Sequence, residues 1–377
     1  MSQSLAIVHC FRSPVGGIFR HVRDLIAEQK AAGHRVGVIC DDNTGGEFEE
    51  KMMAQLESDL DLGLHRVTMD RAISPSDLKV MFQLTRLLRS MDLDILHSHG
   101  AKGGAYARLI GSVLGWRSRK PARLYCPHGG SVHYDTKTMS GRVYGTLERL
   151  LERFTDRLVF VCEYEQDGYL AKVPNLTTSY SIVRNGITEP EFEHIKPAED
   201  ASDLLYIGMM RDLKGVDVFL DALPIVAERL NKKITATLVG DGPDLERYKQ
   251  VAAGLAPQVE TRFFDPMPAR VAFPLGKTLV VPSRAESMPY IVLEALAAQI
   301  PLLATRVGGI PEILTPFDGH LIPAGDPQEM AKTMIRHLEG SLKLPDPEEL
   351  AQLVHDRHSS SVMAADVMKA YEAAMDS

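Results

Sequence analysis

The segment Arg284–Ala295, RAESMPYIVLEA, decides how the chain reads, because it sets Glu286 and Glu294 on either side of a turn that opens a helix. Pro289 suits the first turn of that helix, where its missing N–H is no loss. Ile291, Val292, Leu293 and Leu296 then supply apolar positions at helical spacing, so Glu294 stands on a mostly buried helix. A carboxylate there needs a partner, and taken alone Glu294 reads first as a structural ion pair and second as a ligand contact. Its surroundings point to the ligand. The apolar run Thr278 to Pro282 reads as a strand, and the loop carrying Glu286 leaves its carboxyl end, where open α/β sheets place their ligands.

Outward from this unit, strands and helices alternate along the whole chain, which predicts parallel sheets covered by helices on both faces. The first half reads as strands at Leu5 to Phe11, Arg35 to Asp41, Leu64 to Met69, Asp94 to His99, Arg123 to Pro127, Arg157 to Cys162 and Ser179 to Val183. Helices are expected between them, the first from Gly17 to Ala32. Residues 188–202, TEPEFEHIKPAEDAS, are polar and acidic with two prolines and read as a linker or hinge. The alternation then restarts at Leu204. The expected fold is α/β: two Rossmann-like domains facing across a cleft, 1–187 and 203–355. A C-terminal helix, 356–377, is expected to pack back toward the first domain.

Composition narrows the function. A chain of 377 residues with 45% hydrophobic and 24% charged residues is a globular protein with ample core. Its formal net charge of -8 argues against nucleic acid as a partner. The N-terminus shows no basic start with a long apolar run, and no stretch reaches the roughly 18 apolar residues of a membrane span, so a cytoplasmic protein with at most peripheral membrane contact is expected. Cys10, Cys40, Cys126 and Cys162 lack a C-x-x-C spacing and read as reduced core residues. The basic run Trp116 to Arg123, WRSRKPAR, reads as a solvated loop, with an anion site as the other reading. The D-x-D triplets Asp59 to Asp61 and Asp92 to Asp94 lead into strands, at the end of the sheet away from a ligand, and read as solvated acids.

Three groups carry chemistry besides the two glutamates. Gly16 and Gly17 open the first helix and let its N–H groups meet an anion, although the spacing is not that of a dinucleotide or P-loop motif. GMMRDLKG, Gly208 to Gly215, follows the first strand of the second half and holds two cations, Arg211 as a planar fork and Lys214 as a point charge. His128 follows a strand in the run PHGG, a structural or a catalytic histidine. His97 and His99, in HSHG, raise zinc, but no carboxylate or cysteine stands at a matching spacing, and the expectation is no metal and no cofactor.

Together, Gly16–Gly17, HSHG, PHGG, IVRNGI (Ile182 to Ile187), YIGMMRDLKG, LVGDGP (Leu238 to Pro243), PSRAESMPYIVLEA and ATRVGGIPEI (Ala304 to Ile313) resemble the family-four retaining glycosyltransferases of the GT-B fold over nearly the whole chain. The resemblance implies hexosyl transfer from a nucleotide-diphosphate sugar, with retention and without metal. It implies Arg211 and Lys214 on the diphosphate, Gly16 and Gly17 offering it N–H groups, Glu294 on the ribose and His128 near the reacting carbon. Glu286 would hold a donor-sugar hydroxyl, with Ser287, Met288, Pro289 and Tyr290 lining the donor. Two departures stand out: Met209 occupies a place where the family often has Arg, and Ser287 to Tyr290 replace the usual glycine-rich loop. A sugar-nucleotide epimerase of the same fold, and a non-enzymatic two-domain ligand-binding protein, are the alternatives. The acceptor expected is a glycan or lipid-linked glycan, as in polysaccharide biosynthesis. The helix GRVYGTLERLLERF (Gly141 to Phe154) reads either as docked on the sheet or as lying on an anionic membrane.

Overall fold

A computed structural model describes residues 4–43, 46–70, 74–114, 120–129 and 138–376. The chain divides into two compact units, one of residues 1–186 with 360–377, the other of 187–359. In the first unit strands and helices run β1 (Ala6–Phe11), α1 (Gly16–Ala31), β2 (Arg35–Asp41), α2 (Glu47–Glu57), β3 (Leu64–Val67), α3 (Ser76–Leu88), β4 (Ile95–His99) and α4 (Gly100–Leu114). They continue as β5 (Ala122–Cys126), α5 (Met139–Glu152), β6 (Arg157–Phe160), α6 (Glu163–Lys172) and β7 (Tyr180–Ile182). The second unit holds β8 (Leu204–Ile207), α7 (Val216–Leu230), β9 (Ile234–Val239), α8 (Leu245–Ala253), β10 (Val259–Phe264), α9 (Ala269–Ala272) and β11 (Leu279–Val281). After them come α10 (Tyr290–Ala297), β12 (Leu302–Ala304), α11 (Ile310–Leu314), α12 (Pro327–Leu338) and α13 (Pro347–His358), and α14 (Ser360–Met375) ends the chain in the first unit.

Both sheets are parallel, ordered β3-β2-β1-β4-β5-β6-β7 and β10-β9-β8-β11-β12. Central strands of such sheets are covered on both faces, which is why AIVHCF of β1 is buried along its whole length. In each sheet the winding reverses beside the first strand, between β1 and β4 and between β8 and β11. Ligands of open α/β sheets bind outside the carboxyl ends at this switch point. The loops that follow β8 and β11 are the two that carry Arg211, Lys214 and Glu286.

Several local expectations are corrected. Residues 188–202 do not form a free linker: the segment belongs to the second unit, where Ile195 N–H donates to Ala298 O (3.2 Å) and Ala198 N–H to Pro274 O (2.9 Å). The returning helix begins at Ser360, after a separate helix α13 that the acidic PEELAQLVHDRH concealed. Asp94 is no solvated acid, since it accepts the Ala6 N–H at 2.9 Å, whereas Asp59, Asp61 and Asp92 are exposed as expected. Of the basic run, residues 116–119 lie outside the described residues, while Arg123 is buried against Asp156 at 2.7 Å rather than solvated.

The register between β1 and β4 sets His9 beside His97, and the buried faces of these strands and of α1 gather His9, His21, His97 and His99, with half-buried His128 after β5. Desolvation disfavours the imidazolium, so burial pulls His9 and His21 down to about 4, and His97, His99 and His128 well below the usual histidine range. Burial pushes the Glu165 carboxyl the other way, up to about 7.

These shifts set a pH dependence of stability. A base whose folded pKa is depressed stabilises the fold fully above its unfolded value near 6.5 and loses that contribution as pH falls toward 4, at up to about 1.4 kcal/mol per pH unit for each histidine. Glu165, raised, opposes this between about 4.5 and 7, one group against several. The denaturation midpoint should therefore drop steeply from pH 7 to pH 5; a flat or rising profile would contradict the buried, neutral histidines.

Candidate functional site

In the second unit the site begins where β8 ends. Met210 turns into the core, and its N–H donates to Asp241 O at 2.8 Å. The next residue, Arg211, is extended (φ -148°, ψ 156°) and exposed, and among the described residues its side chain makes no ion pair or hydrogen bond. Lys214 follows in a single 3-10 turn, closed by Gly215 at φ 67°. A Cβ on Gly215 would stand 2.0 Å from Pro282 O, so only glycine lets this loop lie against the one after β11. Arg284 joins the same two loops: its N–H donates to Leu213 O (2.9 Å), and its guanidinium takes Asp217 in a fork at 2.7 and 2.5 Å. That fork holds the Asp217 carboxyl below the usual carboxylate range.

This packing brings together Lys214 and Glu286, 72 positions apart in sequence. Lys214 Nζ donates to Glu286 Oε1 at 2.6 Å, and Ser283 Oγ donates to the same oxygen at 2.6 Å. Glu286 is only 8% exposed. Its backbone is clamped as well, since a Cβ on Gly308 would lie 2.0 Å from Glu286 O, and Gly309 N–H donates to Ser287 O at 2.6 Å. An ammonium has three N–H donors and Glu286 takes one, so Lys214 retains donors for a ligand. A buried carboxylate with one fixed cation and an exposed guanidinium nearby in sequence form an anchor for an anionic, hydroxyl-bearing molecule.

Glu294 lies half-buried on α10, whose Val292, Leu293, Ala295 and Leu296 face the core. Pro289 is the N-cap of that helix, and Met288 and Pro289 are both buried. Only main-chain groups of these two are therefore suited to a ligand. Ser287 and Tyr290 are partly exposed.

In the first unit, Gly16 (φ 67°) and Gly17 open α1, exposed, at the carboxyl end of β1. His128 has the unusual φ of 50° at the carboxyl end of β5, and the next residue, Gly129, donates its N–H to Glu165. The His128 ring meets His21 of α1 edge-on at 4.8 Å between centroids, so the two sequence candidates of this unit share one helix end. Sequence reasoning missed His9, Gln29 and Tyr371, which join His97, His99 and His128 in one hydrogen-bonded array, and His21, which bonds to Asn185 and meets that array through its ring. Histidines at fully apolar positions, His9 within AIVHCF and His21 on the inward face of α1, were the available signal.

Comparison with known proteins gives a family match in each unit. The family model for glycosyl transferases group 1 matches residues 201–340, and that for the glycosyl transferase 4-like domain matches residues 16–178. The N-acetyl-alpha-D-glucosaminyl L-malate synthase of Bacillus anthracis is 26% identical over 317 residues, 79% of this chain and 78% of that protein. The UDP-Gal:alpha-D-GlcNAc-diphosphoundecaprenol alpha-1,3-galactosyltransferase of Escherichia coli is 23% identical over 280 residues, 69% of this chain and 70% of its own. Among solved structures, a glycosyltransferase from Rickettsia africae aligns with a TM-score of 0.78 at 16% identity over 99% of each chain. Anabaena HepE in complex with UDP-glucose aligns at 0.76 and 16% identity, over 98% of this chain and 99% of its own. With the two models together spanning most of its length, the chain belongs to the glycosyltransferases of the group 1 and 4-like families and has the GT-B fold.

Proposed function

We propose that the protein transfers a hexosyl group from a nucleoside-diphosphate sugar to a glycan or lipid-linked glycan, with retention of anomeric configuration and without a metal. The observation that carries this reading is the 2.6 Å contact of Lys214 with Glu286, in a loop that also exposes Arg211. In the reaction the bond from the anomeric carbon to the diphosphate oxygen breaks and the acceptor oxygen bonds to that carbon. The acceptor proton passes to the departing phosphate oxygen. Negative charge grows on the diphosphate, and fixed cations at developing charge are usually the largest catalytic term. Lys214 and Arg211 are assigned that role, which a metal would otherwise fill. Glu286, held by Lys214 and Ser283, is assigned a sugar hydroxyl, and Glu294 the ribose. In the first unit, the N–H groups of Gly16 and Gly17 are assigned an anion and His128 the sugar. The names of relatives support the donor class: HepE is solved with UDP and with UDP-glucose, and the Escherichia coli relative is named for UDP-Gal.

The lipid-linked acceptor is supported by α5. Its acids, Glu148 and Glu152, are buried, Glu148 on Arg108 at 2.9 Å and Glu152 on Thr177 and Thr178. The opposite face carries exposed Met139, Val143 and Leu150, continued by Phe154, interleaved with exposed Arg142, Arg149 and Arg153. A face of apolar and cationic residues without acids matches an anionic lipid surface. No helix among the described residues is long and apolar enough to cross a membrane.

Lys214→Ala should lower kcat by about 10²–10³-fold, the effect of removing one such donor. Glu294→Ala should instead weaken binding of the nucleoside diphosphate by roughly 10–100-fold, the loss of a charged hydrogen bond. Unchanged steady-state kinetics in both variants would overturn the site. EDTA should leave transfer intact, and its abolition would overturn the metal-free reading. Vesicles containing an anionic phospholipid should sediment the wild type but not an Arg142→Glu/Arg149→Glu/Arg153→Glu variant; equal sedimentation of both would remove α5 from the membrane.

A further inference from the structure

The histidine array of the first unit has an uneven count of donors and lone pairs, and the mismatch falls at one place. Gln29 Nε2 donates to Tyr371 Oη at 3.1 Å, which turns Gln29 Oε1 toward His9 Nε2 at 2.9 Å. His9 Nε2 therefore carries the proton, and its Nδ1 accepts from His99 Nε2 at 3.0 Å. That leaves a lone pair on His99 Nδ1, facing His128 Nε2 at 2.9 Å. On the other side, Asn185 Oδ1 accepts from His21 Nδ1 at 3.1 Å, so His21 Nε2 holds a second lone pair. His21 Nε2 is buried and meets no hydrogen-bond partner among the described residues. The Nε2–H of His128 is thus taken by His99, the His21 lone pair is left without a donor among the described residues, and a cation would resolve the deficit.

We propose that His21, His99 and His128 form a transition-metal site that takes Zn²⁺ through His21 Nε2, His99 Nδ1 and His128 Nε2. One ligand atom from each of these residues lies within 4.8 Å of the others. A tetrahedral zinc, with bonds of roughly 2.0–2.1 Å to imidazole, sets its ligand nitrogens about 3.3 Å apart, which the 2.9 Å contact and the 4.8 Å limit bracket. The outer nitrogens are already oriented as zinc ligands require: His21 donates to Asn185, and His99 donates to His9, itself held by Gln29. Binding moves the His128 proton from Nε2 to Nδ1, so charge and protons balance without a further reactant. His128 is half-buried, the least enclosed of the three ligands. The imidazoles are neutral, the form a metal binds. The second histidine trio, His9, His97 and His99, is less suited: Tyr371 Oη donates to His97 Nδ1, so its unpartnered Nε2 carries a proton, and all three rings are buried.

Where His128 contacts the donor sugar, as proposed above, zinc withdraws it and inhibits transfer; the metal site itself does not rest on that reading. The test is calorimetric titration of the metal-stripped full chain with Zn²⁺. One ion per chain is expected, weakened at least about tenfold by His21→Gln and by His99→Gln and changed less than about twofold by His97→Gln. Unaltered affinity in His21→Gln, or loss confined to His97→Gln, overturns the site. Should His21→Gln fail to fold, Asn185→Asp, which makes His21 a stronger ligand, should tighten binding, and no change there also overturns it. Zinc binding as expected with no inhibition of transfer would remove His128 from the reaction while leaving the metal site in place.

Discussion

The contact between Lys214 and Glu286 is the constraint to which the second unit is built. A carboxylate 8% exposed is unfavourable unless charge and hydrogen bonds compensate it, and here Lys214 and Ser283 both donate to one oxygen. Removing either glycine that permits the approach, Gly215 or Gly308, would drive a Cβ into a backbone oxygen at 2.0 Å. The pair therefore depends on backbone geometry as well as on charge. Its partial exposure matters too: the Lys214 side chain is 28% exposed against 9% for Glu286, so the cation is the member that meets solvent or ligand.

Sheet order explains why this contact falls where it does. The loops after β8 and β11 become neighbours because the winding reverses between these strands, and the same reversal sets the ends of β1 and β4 side by side in the first unit. One topology thus serves two chemistries. In the second unit it assembles fixed cations and a carboxylate. In the first it assembles neutral imidazoles, kept so by burial.

Much of the fold was legible, since parallel sheets require apolar strands at regular intervals, and β1, β2, β8 and β9 have them. The helix α13 and the packing of residues 188–202 were not, because acidic, proline-containing segments look alike whether they dock or float. Of the site, RAESMPY and GMMRDLKG were legible as strand-to-helix loops with charged residues, but Ser283 and the glycine contacts were not, as they depend on which loops touch. The histidine array was least visible. His9, His21 and Asn185 follow no shared spacing: the register of β1 on β4 places His9, the inward face of α1 places His21, and Asn185 reaches His21 from beyond β7. Arg123 misled in the opposite sense, reading as part of a solvated basic run while folding inward to Asp156.

The central claim is that Lys214 exchanges part of its contact with Glu286 for the diphosphate of a sugar nucleotide. A crystal structure with a non-transferable nucleoside-diphosphate sugar measures this directly, through the distance from Lys214 Nζ to the nearest phosphate oxygen. The account predicts a charge-assisted hydrogen bond of about 2.7–2.9 Å, with Glu286 on a sugar hydroxyl. A diphosphate bound away from the loop of Arg211 and Lys214, with the 2.6 Å Lys214–Glu286 contact undisturbed, would contradict it.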